Sequence, residues 1–230
     1  MSEAIAANLK SVEARLRRAE HLAARAQGAV RLIAVSKTFP SDAIRSALQA
    51  GQFAFGENYV QEFTDKVAEL KDLPIEWHFI GPIQSNKTRI VAEYAHWVHS
   101  VDRLKIAERL SVQRPASLPP LNVCLQVNVS GEDSKSGCPP EEASALARQI
   151  AILPGIRLRG LMCIPEATTD TDRLDSQFAL LKRLYDQMNA ENLGLDTLSM
   201  GMSSDLEQAV RAGATMVRVG SAIFGARNYL

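Results

Sequence analysis

From residue 31 onward the sequence alternates, eight times over, between a short apolar stretch and a segment whose apolar residues recur three and four apart. Short runs rich in β-branched residues suit buried parallel strands, and the three-four spacing suits helices that cover them. The strands read as Leu32–Val35, Phe53–Glu57, Trp77–Ile80, Trp97–Val101, Leu121–Val129, Ile156–Ile164, Thr197–Met200 and Met216–Val219. Helical stripes fall between them, the clearest being Val60, Phe63, Val67 and Leu70, and Leu174, Phe178, Leu181, Tyr185 and Met188. Ser41, Asn86 and a Ser204/Glu207 capping box are candidate helix starts. Ahead of the first strand, Ile5, Leu9, Val12, Leu16 and Ala19 mark an amphipathic helix over Glu3–Ala26, which Gly28 can end. Eight strand-helix units in 230 residues predict an α/β fold, a single (β/α)8 TIM barrel with an extra N-terminal helix, as one domain over residues 1–230. A doubly wound open sheet is the alternative, although the sequence has neither the GxGxxG nor the GxxxxGK[ST] signature usual in nucleotide-binding sheets.

The balance of 26 basic against 26 acidic residues gives no nucleic-acid footprint and no attraction to an anionic membrane, so small molecules are the expected partners. The three cysteines, Cys124, Cys138 and Cys163, are far apart and form no CxxC, which argues against both a disulfide framework and a metal site. The N-terminal residues carry no basic segment followed by an apolar one, and no apolar run is long enough to cross a membrane. A soluble, cytoplasmic protein is expected.

The first strand ends on Lys37, just before the strand-breaking Thr38-Phe39-Pro40-Ser41. A lysine beside buried strand can lose part of its charge to desolvation and act as a nucleophile toward an aldehyde, either a substrate carbonyl or pyridoxal 5'-phosphate (PLP). It can equally snorkel to solvent. In barrels of this kind, sites form at the C-terminal ends of strands, and phosphates often bind after strands seven and eight. Those loops are Gly201-Met202-Ser203-Ser204 and Gly220-Ser221-Ala222, which offer glycine backbone and hydroxyl donors to a phosphate or simply supply turns and helix caps. Arg218, two residues before Gly220 on the same face, reaches toward the same mouth. A guanidinium donates and never accepts, so facing a pyridine nitrogen it would leave that nitrogen unprotonated; a structural salt bridge is the other reading. Asn58, His78, Gln84, Asn86 and Lys87 lie at or after strands two and three, with His78 fitting a core histidine. On strand five Asn122, Cys124, Gln126 and Asn128 form a polar face suited to a barrel interior, with Asn128 a candidate ligand contact. Lys135, in the polar loop Ser130–Pro140, is a candidate second amine.

The segments AVSKTFP, FGENYVQE, WHFIGPIQSNK, LQVNVSGEDSKSG, GLMCIP and LSMGMSSDLEQAVRAGATMVRVGSAIFG, in this order from about Arg31 to Tyr229, resemble the YggS/PROSC family of pyridoxal phosphate homeostasis proteins. The resemblance implies a barrel like the N-terminal domain of alanine racemase, with Lys37 holding PLP as an internal aldimine. It implies phosphate contacts from Ser199, Gly201, Ser203, Gly220 and Ser221, with Arg218 at the pyridine nitrogen; Asn58, by its place at the end of strand two, is an amide able to order the cofactor ring. The implied function is to carry or buffer PLP in vitamin B6 and amino-acid homeostasis, with no established catalytic reaction and no assigned catalytic residue. PLP, small amines and amino acids are then the expected partners, with PLP-dependent apo-enzymes as candidate recipients and a monomer as the expected state. A PLP-dependent racemase or other PLP enzyme is the alternative. A two-base racemase needs an acid/base on each face of its substrate, and alanine racemases take one from a second domain that this chain is expected to lack. An aldolase using Lys37 without cofactor is a third reading, which leaves Arg218 without a purpose.

Overall fold

The computed structural model describes residues 2–132 and 135–226; Met1, Asp133 and Ser134 of the LQVNVSGEDSKSG segment, and residues 227–230 lie outside the described residues. Eight parallel strands close into one barrel in sequence order: β1 (Arg31–Val35), β2 (Ala54–Glu57), β3 (Glu76–Phe79), β4 (Trp97–Val101), β5 (Leu121–Gln126), β6 (Ile156–Met162), β7 (Thr197–Ser199) and β8 (Met216–Val219). Pairing of β1 with β8 completes the ring, with Ile33 opposite Arg218. The helices are α1 (Ser2–Leu22), α2 (Ser41–Gln49), α3 (Val60–Glu69), α4 (Thr88–Tyr94), α5 (Leu104–Gln113), α6 (Pro140–Ala151), α7 (Thr171–Ala190), α8 (Leu206–Arg211) and α9 (Ser221–Phe224). The open-sheet alternative is excluded.

The period of two along each strand sorts side chains between two cores. Leu32, Ala34, Phe55, Trp77, Phe79, Val98, Val123, Leu125 and Val217 face outward into the apolar layer shared with the helices. Ile33, Ala54, Trp97, Cys124, Met162 and Met216 fill the barrel interior. The extra helix α1 packs on α2, α8 and α9, burying the expected stripe of Ile5, Leu9, Val12, Leu16 and Ala19. Each of the larger side chains, Ile5, Leu9, Val12 and Leu16, contributes roughly 1.5–3 kcal/mol when removed from water.

Helix ends are where the sequence pattern misleads. α1 stops at Leu22, short of Ala26, because Glu20 is fully buried and accepts hydrogen bonds from the backbone N–H groups of Gly28 and Val30 at 3.0 and 2.7 Å. That carboxylate pins the connection into β1. The Ser204/Glu207 capping box does not form: α8 begins after Asp205, and Glu207 instead pairs with Arg15 of α1. Nor does Asn86 cap α4; it sits exposed in a 3-10 turn, and Ser41 spends its hydroxyl on Glu69 rather than on a cap. Strand β5 ends at Gln126, and Val127 beyond it makes an isolated bridge to Cys138.

Candidate functional site

At the C-terminal ends of the strands a cavity of about 310 Å³ is lined by Lys37, Asn58, Arg218, Ser203, Ser204, Gly220 and Ser221, with Val35, Ile80, Ile164 and Met202 as its apolar walls. Lys37 follows β1 by two residues, Asn58 follows β2 by one, and the serines and Gly220 stand on the loops after β7 and β8. Parallel closure therefore gathers residues nearly two hundred positions apart. Two clefts of more than twice that volume lack this set of groups. One, of about 920 Å³, is lined by Lys135 and the acidic Glu166, Asp170 and Asp205, and the other, of about 670 Å³, opens at the N-terminal end of the barrel beside Glu76, Trp77 and His96.

The Lys37 loop is built on a buried ionic cluster. Lys66 Nζ donates to the Ser36 carbonyl and to Glu57 Oε1, both at 2.8 Å, and the Ser36 hydroxyl donates to the same Glu57 oxygen at 2.6 Å. Burial pushes the Glu57 carboxyl above its ordinary range, and the charge and hydrogen bond of Lys66 oppose that rise. One residue beyond Lys37, Thr38 adopts a left-handed φ of 68°, unfavourable for a β-branched residue, with its N–H held by Glu62 at 2.8 Å. Held backbone on both sides fixes where the Lys37 side chain starts.

Arg218 is buried, and its guanidinium donates to the Ser199 hydroxyl at 2.7 Å and to the Cys163 carbonyl at 2.9 Å. Arginine has more N–H groups than these two bonds use, so it retains donor capacity toward the cavity it lines. Ser199 itself is fully buried beneath the cavity, bonded to Arg218 and to His99 Nδ1 at 2.7 Å. Gly201 likewise stands back from the lining. A Cβ there would lie 2.5 Å from Ala209 Cβ, and its φ of 100° is open to glycine, so packing on α8 accounts for the residue. Gly220 approaches β1 closely, where an added Cβ would meet the Val35 carbonyl at 3.2 Å.

Other candidates resolve into structural parts. His78 is a fully buried interior residue, whereas Gln84, Asn86 and Lys87 are exposed and away from the cavity. Asn128 folds its own loop, accepting from the N–H groups of Ser130 and Gly131 and donating to the Glu132 carbonyl at 2.8 Å, and is not among the residues lining the Lys37 cavity. Lys135 lines the neighbouring clefts rather than the Lys37 cavity. The three cysteines are buried thiols pushed up to about 12 by desolvation, and so are inert at neutral pH. Sequence reasoning missed the supporting layer of Ser36, Glu57, Lys66 and His99. The inward period of β4 carries the signal for His99, which shares a strand face with Trp97; Glu57 and Lys66 left none, because both read as ordinary surface charges.

The donor set fits PLP: an amine for its aldehyde, hydroxyls and glycine backbone for its phosphate, and a charged donor for its ring nitrogen. Residues 3–228 match the family of the alanine racemase N-terminal domain. The pyridoxal phosphate homeostasis protein of Pseudomonas aeruginosa is 62% identical over 225 residues, covering 98% of this chain and 96% of that protein. PipY of Synechococcus elongatus, solved with PLP bound, is 40% identical, with a TM-score of 0.84 over 96% of this chain and 100% of PipY. Alanine racemase from Corynebacterium glutamicum, at 18% identity and a TM-score of 0.73 over 98% of this chain and 62% of its own, shares the fold. The chain thus belongs to the pyridoxal phosphate homeostasis protein family, built on the N-terminal barrel of alanine racemase.

Proposed function

We propose that this protein binds PLP in the Lys37 cavity and carries or buffers it in vitamin B6 and amino-acid homeostasis, rather than committing it to one catalysed reaction. The observation that carries this reading is the convergence of Lys37, Arg218 and two glycine-serine loops on one small cavity. PLP, when bound, supplies an aldehyde that amines attack reversibly and a ring whose electron demand depends on its nitrogen. Lys37 provides the amine. Ser203, Ser204, Ser221 and the Gly220 backbone provide donors for the phosphate, and Asn58 an amide beside the ring. Arg218 stays cationic and donates only, which favours an unprotonated ring nitrogen and weakens the ring as an electron sink.

Support for a carrier over a racemase comes from the lining itself. Among the described residues that line the cavity, Lys37 and Arg218 are the only titratable side chains, so a second acid/base on the opposite face is lacking. The same family membership in PLP homeostasis points the same way. Absorbance of the purified protein incubated with PLP, before and after borohydride reduction and peptide mapping, tests the proposal. A visible band that reduction fixes on Lys37, and that Lys37→Ala abolishes, is the expected result. Rapid interconversion of alanine enantiomers by the loaded protein would favour the racemase.

A further inference from the structure

A line of buried polar groups runs through the barrel from Arg218 to the opposite rim. Arg218 donates to Ser199 Oγ at 2.7 Å, Ser199 Oγ meets His99 Nδ1 at 2.7 Å, and His99 Nε2 meets His78 Nδ1 at 2.9 Å. His78 Nε2 meets Glu76 Oε1 at 2.7 Å, and that oxygen also takes Arg31 at 2.7 Å on the exposed rim. Chemistry at the two ends fixes every proton between them. A carboxylate can only accept, so His78 donates from Nε2 to Glu76, and a neutral His78 then accepts at Nδ1 from His99 Nε2–H. That leaves the Nδ1 of a neutral His99 to accept from the Ser199 hydroxyl, whose oxygen in turn takes the Arg218 N–H. All the bonds point one way, from Arg218 to Glu76, an arrangement in which each bond polarises the next.

The chain also answers an electrostatic problem. Among the described residues no carboxylate forms an ion pair with Arg218, and an uncompensated buried cation is costly. Resting on the reading that Arg218 serves the cofactor ring, we propose that His99, His78 and Glu76 are positioning residues, a one-way hydrogen-bond relay that fixes the Arg218 guanidinium for PLP from the far end of the barrel. Protonating His99 on Nδ1 would reverse the Ser199 bond and set a second cation against Arg218. The charged or titratable groups facing the relay are Arg31, Glu76 and His96 around His78, and His78 and Arg218 around His99, with Trp97 stacked on His78 at 5.7 Å between ring centroids.

Nitrogen-15 NMR of the cofactor-free protein, needing no substitution, reads the relay directly. Both histidines are expected as neutral Nε2–H tautomers, and an Nδ1–H signal from His99 would overturn the proposal. PLP affinity and the pH dependence of the bound absorbance band then test the positioning role in three variants. His99→Phe removes both contacts and should raise the dissociation constant roughly tenfold, the loss of about one buried charge-assisted hydrogen bond, and alter the band. His99→Gln, which keeps an acceptor and a donor, should restore both. Wild-type affinity and spectrum in His99→Phe, with both changed in Arg218→Leu, would overturn the relay alone. Wild-type behaviour in both variants would overturn the Arg218 reading and the relay with it.

Discussion

Lys66 Nζ lies 2.8 Å from Glu57 Oε1 and 2.8 Å from the Ser36 carbonyl, so one ammonium on α3 ties the end of β2 to the residue that precedes Lys37. Both partners are buried, and the second Glu57 oxygen has no hydrogen-bond partner among the described residues. The loop that presents the candidate nucleophile is thus held by charges rather than by apolar packing.

Removing one member should cost more than removing both. Lys66→Met leaves the Glu57 carboxylate buried without its cation, and a loss of about 3–5 kcal/mol is expected in urea denaturation. The double variant Lys66→Met/Glu57→Gln should recover much of that loss. A double-mutant cycle with no coupling would show that the two groups act independently.

Gly81 couples barrel packing to the site. A Cβ at this position would lie 2.0 Å from the Asn58 carbonyl oxygen, and both groups are backbone, so neither can rotate away. Gly81→Ala should therefore displace Asn58, cost about 1–3 kcal/mol as overpacking does, and weaken PLP binding. Gly51→Ala is the control. Its φ of 95° strains alanine by about 1 kcal/mol, but nothing lies within 4 Å, so PLP affinity should be unchanged.

The barrel was legible because its evidence is periodic. Short apolar runs such as Leu32–Val35, recurring at regular intervals, and the three-four spacing along Leu174–Met188 survive any choice of loop, and each predicted strand overlaps an observed one. The mouth of the site was legible in part, since Lys37, Asn58, Ser203, Arg218, Gly220 and Ser221 follow from where strands end. What lay out of reach depends on contacts between distant segments. Glu207 looks like a capping residue until α1 places Arg15 beside it, and Glu57 looks solvated until α3 brings Lys66. Local spacing cannot distinguish a carboxylate facing water from one facing a partner across the core.

Glu20 is the strongest test of such a hidden carboxylate outside the site. It interrupts the apolar face of α1 yet holds the backbone N–H groups of Gly28 and Val30 and the Arg17 guanidinium. Glu20→Ala leaves those donors unsatisfied and should cost about 1–3 kcal/mol, read from the urea midpoint, while PLP affinity stays at the wild-type level. An unchanged midpoint would mean that water replaces the carboxylate without penalty.

Acid should destabilise the barrel through its interior histidines. Burial holds both His78 and His99 below the ordinary histidine range, and for His99 the neighbouring His78 and Arg218 add to the effect. As pH falls below about 6.5 the unfolded chain takes up protons that the folded chain refuses, so stability drops by up to about 1.4 kcal/mol per pH unit for each such group. Glu76 acts in a lower window. Its burial is outweighed by His78 and Arg31, its pKa is lowered to about 2, and its contribution is lost only below about pH 4.3. Glu57, raised by burial, opposes the trend by binding a proton more readily when folded. Urea denaturation at pH 7 and at pH 5.5 separates these effects. Wild-type protein should lose stability between the two, and His99→Gln, with one fewer group to protonate on unfolding, should lose about 1.4 kcal/mol less. An identical loss in both proteins would show that His99 takes up its proton as readily in the fold as in the unfolded chain, so that the fold does not hold it neutral as the one-way line of hydrogen bonds to Glu76 requires.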